Sequence, residues 1–409
     1  MKKLKSLLII FLMIVCNFNI CFGFSENYTW SVLDPSITAS TPLTEPEQVL
    51  DNNSLNLEAG AAILIEQNSG QILYGYNVHE RLHPASVTKV MSLLLIMEAL
   101  DSGKITLDTQ IPCSTNAASM GGSQIWLDTR ETLNVNDMLK AIAVVSANDC
   151  VVALAEYLGG TEEGFVQMMN DKAKELGMND TTFKNCHGID EDGHLTSAYD
   201  IAIMSRELLM NHPSITKYTT IWMDSLRDGK SSLVNTNKLV RNYNGCTGLK
   251  TGSTSIALYN LSASATRNNL SLIAVVLKAP TPAIRFSNAQ KLLDYGFSNY
   301  TVTSFGKKGD VIKSVEIKKG TTSSIDAILE NDAEVLMSNG NNKDVTQEIK
   351  LDDTFNAPIL EGQKLGEVEF SINGNVVSTV NLVANKSSDK LSFGSIIKFV
   401  MNKWFNMLR

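Results

Sequence analysis

The sequence predicts an α/β fold, a mixed sheet with helices packed on it and α+β in character, followed by a small all-β domain and a C-terminal amphipathic helix. Three observations lead there. Helical periodicity dominates from residue 86 to 211 and is bracketed by apolar runs short enough to be strands. From about residue 298 that period fades into short alternating runs, such as Val368, Phe370 and Ile372 set against Glu367, Glu369 and Ser371. The last residues sort into a basic polar face and an apolar face.

At 409 residues the chain is too long for one typical domain. Apolar residues at 44% and charged residues at 19% fit a folded rather than a disordered chain. The net charge of −8, with no Lys/Arg run in the body of the chain, argues against a nucleic-acid partner, because phosphate binding needs clustered cations.

Residues 1–23 read as a signal peptide: a basic start at Lys2, Lys3 and Lys5, an apolar stretch over 7–16 that softens towards Phe22, and Gly23 as a small exit residue. The stretch is shorter than a spanning helix needs, with an uncleaved anchor as the alternative. Cys16 and Cys21 follow bulky Val15 and Ile20, which argues against lipid attachment. Cys113, Cys150, Cys186 and Cys246 show no Cys-x-x-Cys spacing and are expected as buried free thiols. Residues 24–54, polar and carrying Pro35, Pro42 and Pro46, form a linker.

Residues 55–297 are expected to form one domain. It opens with a hairpin, 60–66 and 71–76, turning at Asn68-Ser69-Gly70. The mostly apolar helix 86–101 should be buried. Helices over 135–157, 163–176 and 197–211 follow, the second stopped by Gly177. After a turn at Gly252 come strands 258–265 and 270–277, then a helix over 284–295 that closes at Gly296. Residues 298–385 form the all-β domain, in which Asn373-Gly374 signals a tight hairpin into 376–383. Over 386–409, Ile396, Ile397, Val400, Trp404, Phe405 and Leu408 fall on one helical face, with Lys398, Lys403 and Arg409 on the other. That is the make-up of a helix lying in a membrane surface.

Three short motifs carry chemistry. In Pro84-Ala85-Ser86-Val87-Thr88-Lys89, Pro84 precedes a helix, and Ser86 and Lys89 are three apart on one face among apolar neighbours. A lysine there is poorly solvated, so its pKa falls and it can act as a base. A serine hydroxyl is a weak nucleophile until such a base takes its proton. In Ser146-Ala147-Asn148, at a break in the 135–157 helical region, a second hydroxyl can pass a proton and an amide can hold a substrate carbonyl or Lys89. In Lys250-Thr251-Gly252-Ser253-Thr254, entering a strand, the cation and hydroxyls suit a carboxylate. Gly252 lets a substrate backbone come close, for binding by edge addition. Each motif alone is weak, but Ser-x-x-Lys, Ser-x-Asn and Lys-Thr-Gly in this order are those of penicillin-binding proteins and serine β-lactamases.

The chain resembles the low-molecular-mass penicillin-binding proteins, the serine D-alanyl-D-alanine carboxypeptidases. The likeness extends to Gly121-Gly122-Ser123-Gln124-Ile125-Trp126, Val145-Ser146-Ala147-Asn148-Asp149, His187-Gly188-Ile189-Asp190, Thr196-Ser197-Ala198-Tyr199-Asp200 and Gly248-Leu249-Lys250-Thr251-Gly252. It covers about 55–385 and the terminal helix. It implies a β-lactamase/transpeptidase-like fold, a β-sandwich second domain and a membrane-surface helix. It further implies Ser86 as the acylated nucleophile, Lys89 as its base, and Ser146 and Asn148 in proton transfer and substrate positioning. Lys250, Thr251 and Thr254 would take the terminal carboxylate, with Arg285 near that pocket. The backbone N–H groups of Ser86 and Ser253 would form the oxyanion hole; many relatives carry His at the position of Ser253.

The implied reaction is removal of the terminal D-alanine from peptidoglycan stem peptides, with β-lactams as covalent inhibitors and no metal or cofactor. The expected location is outside the cell, on the outer face of the cytoplasmic membrane. Three rival readings stand beside it. A class A β-lactamase would need a Glu for deacylation, and Glu175-Leu176-Gly177-Met178-Asn179 has a similar Glu-to-Asn spacing. A non-catalytic penicillin-sensing or wall-binding protein would not need an intact Ser86/Lys89 pair. A zinc peptidase would draw on His187, His194 and the acids 190–192, which lack ligand spacing.

Overall fold

The computed structural model describes residues 55–338, 345–392 and Gly394. The signal segment 1–23, the linker 24–54 and nearly all of the helix expected over 386–409 lie outside the described residues.

Strands β1 (Ala61–Glu66) and β2 (Ile72–Tyr76) form the expected hairpin. Two small ribbons follow, β3 (Gln110–Pro112) with β4 (Thr132–Asn134), and β5 (Met223–Leu226) with β6 (Ser231–Val234). Strands β7 (Cys246–Thr254), β8 (Leu258–Arg267) and β9 (Leu270–Ala279) complete an antiparallel main sheet of order β2-β1-β9-β8-β7. Among the described residues, strand β7 is therefore an edge of this sheet, with strand β8 on one side only.

Both faces of this sheet are covered, which explains why β1 is apolar along its length rather than alternating. Ala61, Ile63 and Ile65 join the core shared with α1 (Lys89–Asp101) and its helical neighbours. Ala62 and Leu64 join the opposite core. Nearly every residue of α1 is buried, as expected of a helix apolar all round. Around it pack α3 (Val135–Lys140), α4 (Asn148–Gly159), α5 (Glu162–Glu175) and α6 (Ala198–Asn211), with α2 (Thr115–Ser119), α7 (Thr216–Thr219) and α8 (Leu239–Asn242) as short turns. The opposite face carries α9 (Pro282–Asn299), through Ala289, Leu292 and Leu293.

Two glycines behave differently. Gly177, at φ +73°, ends α5 in the left-handed conformation as expected. Gly296 does not close a helix, because α9 runs on to Asn299. A Cβ at Gly296 would lie 2.5 Å from Leu272 Cδ1 and 3.1 Å from Leu64 Cδ2, so this glycine lets helix and sheet approach.

The all-β part comprises β10 (Tyr300–Gly306), β11 (Val311–Lys318), β12 (Ser324–Leu329), β13 (Ala333–Ser338), β14 (Val345–Leu351), β15 (Thr354–Asn356), β16 (Lys364–Ile372) and β17 (Asn375–Ala384). A two-stranded sheet, β10-β13, and a six-stranded sheet, β14-β16-β17-β12-β11-β15, share a core that includes Val335, Ile325, Phe370 and Leu382. The expected turn joins β16 to β17, with Asn373 at φ +54° and Gly374 at φ +84°. Among the described residues no helix is long and apolar enough to cross a membrane.

Phe370 is buried in this third core, apart from the two on either face of the main sheet. Phe370→Ala is expected to cost about 3–5 kcal/mol of β-domain stability. A thermal melt should register that loss, while the rate at which a penicillin acylates the full chain at 25 °C stays within about twofold of wild type.

Candidate active site

Pro84 and Ala85 lead into a single 3-10 turn, Ala85–Thr88, which delivers Ser86 to the start of α1. Ala85 is buried and sits at φ +49°, a conformation that costs a non-glycine residue about 1 kcal/mol or more and that its surroundings must enforce. Lys89 opens α1 and is fully buried. Its Nζ lies 3.1 Å from Ser86 Oγ, 2.6 Å from Asn148 Oδ1 and 2.6 Å from the His187 carbonyl oxygen. Two of these partners are carbonyl oxygens that can only accept. A neutral amine has two N–H groups, which they satisfy, so its lone pair is left for the Ser86 hydroxyl. Burial drives the Lys89 pKa from its usual value down to about 7, against weaker upward pulls from Cys186 and Asp149.

The second motif comes from a break in the helical run. After α3 the chain makes a wider π turn over Ala141–Val145. Ser146 then flips to φ +66°, ψ +33°, and α4 starts at Asn148. The flip is why Ser146 and Asn148 can both serve one cleft. Ser146 Oγ is buried and, among the described residues, has no hydrogen-bond partner. Asn148 accepts from Lys89, donates through Nδ2 to the Gly121 carbonyl at 2.7 Å, and donates its backbone N–H to the Ser123 carbonyl at 2.7 Å.

The third motif lies on β7. A Cβ at Gly252 would fall 2.9 Å from the Ser86 nitrogen and 2.8 Å from the Pro84 oxygen, so glycine is what allows the strand to touch the turn that carries Ser86. Lys250 is buried and donates to the Thr251 carbonyl at 2.9 Å. Its pKa is pushed well below the usual lysine range, first by burial and then by the cations of Lys89 and Arg285. The Thr251 hydroxyl bonds that of Thr236 at 2.7 Å. Ser253 is exposed on the strand.

Two further residues expected near the carboxylate have partners within the protein. The Thr254 hydroxyl donates to Asp190 Oδ1 at 2.9 Å and accepts from the Ala257 N–H, closing the β7–β8 turn. Arg285 is buried against β7 and β8, its Nη1 3.3 Å from the Gly252 and Asn260 carbonyls and its guanidinium over Phe286. Burial lowers its pKa to about 10, and its Nε has no partner among the described residues.

The residues behind the rival readings have other tasks. His187 Nδ1 accepts from the Ile189 N–H, which leaves Nε2 protonated towards Glu162 at 3.4 Å. Its pKa is lowered to about 3 by burial, then by Lys89 and His194. His194 Nδ1 accepts from the Lys184 N–H, so Nε2 donates to the Thr88 hydroxyl at 2.8 Å, and Thr88 in turn donates to the Ala85 carbonyl. Glu175 is exposed at the end of α5 and paired with Lys172 at 2.8 Å. Cys113, Cys150, Cys186 and Cys246 are free thiols, the first three buried.

Several contributors carried no sequence signal that motif reading used. The His187 carbonyl that holds Lys89, and Thr236 beside Thr251, are contacts between distant segments. Asp149 was within reach of sequence reading as an acid in the first turn of a helix, directly after Asn148. Its buried carboxylate accepts the N–H groups of Ile125 and Leu127, each at 3.0 Å.

Comparison with known proteins agrees with this geometry. Residues 47–281 match the family model for D-alanyl-D-alanine carboxypeptidases, and residues 300–390 match that for the C-terminal domain of penicillin-binding protein 5. The chain is 45% identical over 351 residues to D-alanyl-D-alanine carboxypeptidase DacF of Bacillus subtilis, covering 85% of this chain and 90% of that one. The structure of penicillin-binding protein 5 from Haemophilus influenzae is similar with a TM-score of 0.70 at 31% identity, over 82% of this chain and 98% of that one. Penicillin-binding protein D2 from Listeria monocytogenes, solved in its ampicillin-bound form, is similar with a TM-score of 0.55 at 32% identity, over 59% of this chain and 99% of that one.

Gly188 holds the loop that offers the His187 carbonyl to Lys89. Its φ is +91°, and a Cβ there would lie 1.9 Å from the Ala85 carbonyl oxygen. Gly188→Ala must therefore push apart the nucleophile's turn and the Lys89 acceptor. The expected result is a lower melting temperature and a loss of about 100-fold or more in the rate of acylation by a β-lactam, measured by stopped flow on the folded fraction.

Proposed function

Because this chain belongs to the serine D-alanyl-D-alanine carboxypeptidase family of penicillin-binding proteins, we propose that Ser86 is the nucleophile that attacks the carbonyl joining the last two D-alanines of a peptidoglycan stem peptide. The observation that carries this assignment is the fully buried Lys89 amine, 3.1 Å from Ser86 Oγ with its other two contacts to carbonyl oxygens.

Neutral Lys89 takes the Ser86 proton as the oxygen–carbon bond forms. The negative charge that develops on the carbonyl oxygen is met by the backbone N–H groups of Ser86 and Ser253, which the close approach at Gly252 brings together. The carbon–nitrogen bond then breaks. Ser146 relays the proton held by Lys89 to the leaving D-alanine amine, which returns Lys89 to its neutral form, a role that suits a buried hydroxyl without another partner among the described residues. Asn148 positions both Lys89 and the incoming peptide carbonyl. Water, activated by Lys89, releases the shortened peptide and restores Ser86. A β-lactam enters the same first step and leaves slowly.

The terminal carboxylate is assigned to Lys250 and Thr251, with Arg285 behind them and Thr254 acting through the turn it closes. Charge supports this: Lys250 is buried beside Lys89 and Arg285, whose charges add to burial in lowering its affinity for protons, so an anion next to it is favoured. The peptide itself would lie along the free edge of β7.

The same reading assigns 55–297 to catalysis and 298–385 to a supporting β-sandwich, and places the protein outside the cell on the outer face of the cytoplasmic membrane. Support comes from the signal-like segment 1–23 and the amphipathic pattern of 386–409. Removal of 391–409 is expected to abolish co-sedimentation with anionic lipid vesicles; undiminished binding would contradict the anchor.

Release of free D-alanine from a peptide ending in D-Ala-D-Ala tests the reaction. Wild type should release it, Ser86→Ala should not, and the acylation rate should rise as pH increases through about 7, where Lys89 loses its proton. Release by Ser86→Ala at the wild-type rate would sink the assignment.

A further inference from the structure

We infer that Arg227, a residue outside every motif above, is a positioning residue for the acylation step: its guanidinium clamps loop 121–127 and thereby holds Asn148 against Lys89. This rests on the reading of Lys89 as the base.

The argument starts from the loop. Residues 121–123 supply the two carbonyls that orient Asn148, at Gly121 and Ser123. Residues 125–127 are pinned from the interior by the Asp149 carboxylate, which takes two of their N–H groups. That leaves the carbonyls of the same stretch facing outward, at Ile125 and Trp126. Arg227 meets both, with Nη1 2.8 Å from the Ile125 oxygen and Nη2 3.4 Å from the Trp126 oxygen.

The rest of the guanidinium is equally committed. Nε and Nη2 form a forked pair with Glu131 at 2.6 and 2.8 Å, and Nη1 also donates to Ser231 Oγ at 2.9 Å. An arginine has five N–H donors in a fixed plane, and each of these five has a partner. The plane is thus set by Glu131 and Ser231, and the two loop carbonyls must conform to it. Arg227 itself sits in the turn between β5 and β6 at φ +54°, a strained position for a non-glycine residue.

Two features show the loop to be held rather than merely packed. Trp126 is 76% exposed, so its side chain anchors little, yet its backbone is fixed at φ +56°. Neighbouring residues Asn148 and Asp149 grip the two halves of the loop from α4, so the loop's outward side is the one that α4 leaves unsecured. Arg227 closes that side. Without it, Asn148 loses the fixed carbonyls that hold its amide against Lys89, and water gains a path to the amine.

The groups that face Lys89 are Ser86 on its own turn, Asn148 and Asp149 from α4, Cys186 and His187 from the loop between α5 and α6, and Lys250 from β7. Arg227 is not among them and its charge reaches this set only through Asp149, a coupling that Arg227→Lys preserves. Its effect must pass through geometry and hydration.

The test is the rate of acylation by a fluorescent penicillin from about pH 5 to 9, per folded molecule, for wild type, Arg227→Met and Arg227→Lys. The expected result is a plateau lower by about 10- to 100-fold in both variants, with the rise in rate moved to higher pH as Lys89 is rehydrated. Lysine keeps the charge but not the fork, so it should not rescue. If Arg227→Met does not fold, Glu131→Gln loosens the fork by removing the charge that orients it and should give the same displacement on a smaller scale. Plateau and midpoint equal to wild type, or full rescue by lysine, would overturn the clamp. Absence of any rise through about pH 7 in wild type would instead overturn Lys89 as the base.

Discussion

An amine removed from water holds its proton weakly, and this chain removes Lys89 from water completely. The rest of the site follows from that constraint. A buried lysine must satisfy its donors inside the protein, and it does so with one side-chain and one backbone carbonyl from segments far apart in sequence, Asn148 and His187. Both are acceptors only, so the remaining direction around nitrogen points at Ser86. In the proposed mechanism, burial and partner choice together convert an ordinary cation into a base with one available target.

Holding that arrangement requires the backbone to adopt conformations that most residues avoid. Ala85, Ser146 and Trp126 all have positive φ without being glycine, and Gly188 and Gly252 sit where any Cβ would strike the nucleophile's turn. Ala85, Gly188 and Gly252 lie directly around the Ser86 turn, whereas other positive-φ residues, such as Asn268 and Lys319, lie far from it in sequence. The main sheet supplies the counterweight: β7 is an edge strand, but it belongs to a sheet covered on both faces, so its position is firmly set while its outer row of groups stays free. A rigid edge beside a strained turn is what an extended peptide with a reactive carbonyl requires.

Much of this was legible in the sequence. The buried helix carrying Lys89, the break at Ser146, the Asn373-Gly374 hairpin and the switch to alternating strands all rest on local rules, and local rules read well. Gly296 was misread because one glycine can end a helix or admit a neighbour, and only the position of Leu272 decides between them. The hydrogen bond from the Thr254 hydroxyl to Asp190, which belongs to a distant loop, likewise has no mark in local sequence. The His187 carbonyl and the Arg227 fork were invisible for a related reason: a backbone acceptor carries no sequence mark, and a long-range hydrogen bond has no spacing to detect.

The account turns on the protonation of one side chain, which can be observed without any substrate. With lysines labelled at the ε position, the Lys89 resonance, identified by its disappearance in Lys89→Arg, can be followed by NMR as pH is varied. A midpoint near 7 is the predicted result. A midpoint in the ordinary lysine range near 10.5 would mean that the amine beside Ser86 stays charged at neutral pH, and the proposed activation of the serine would fail with it.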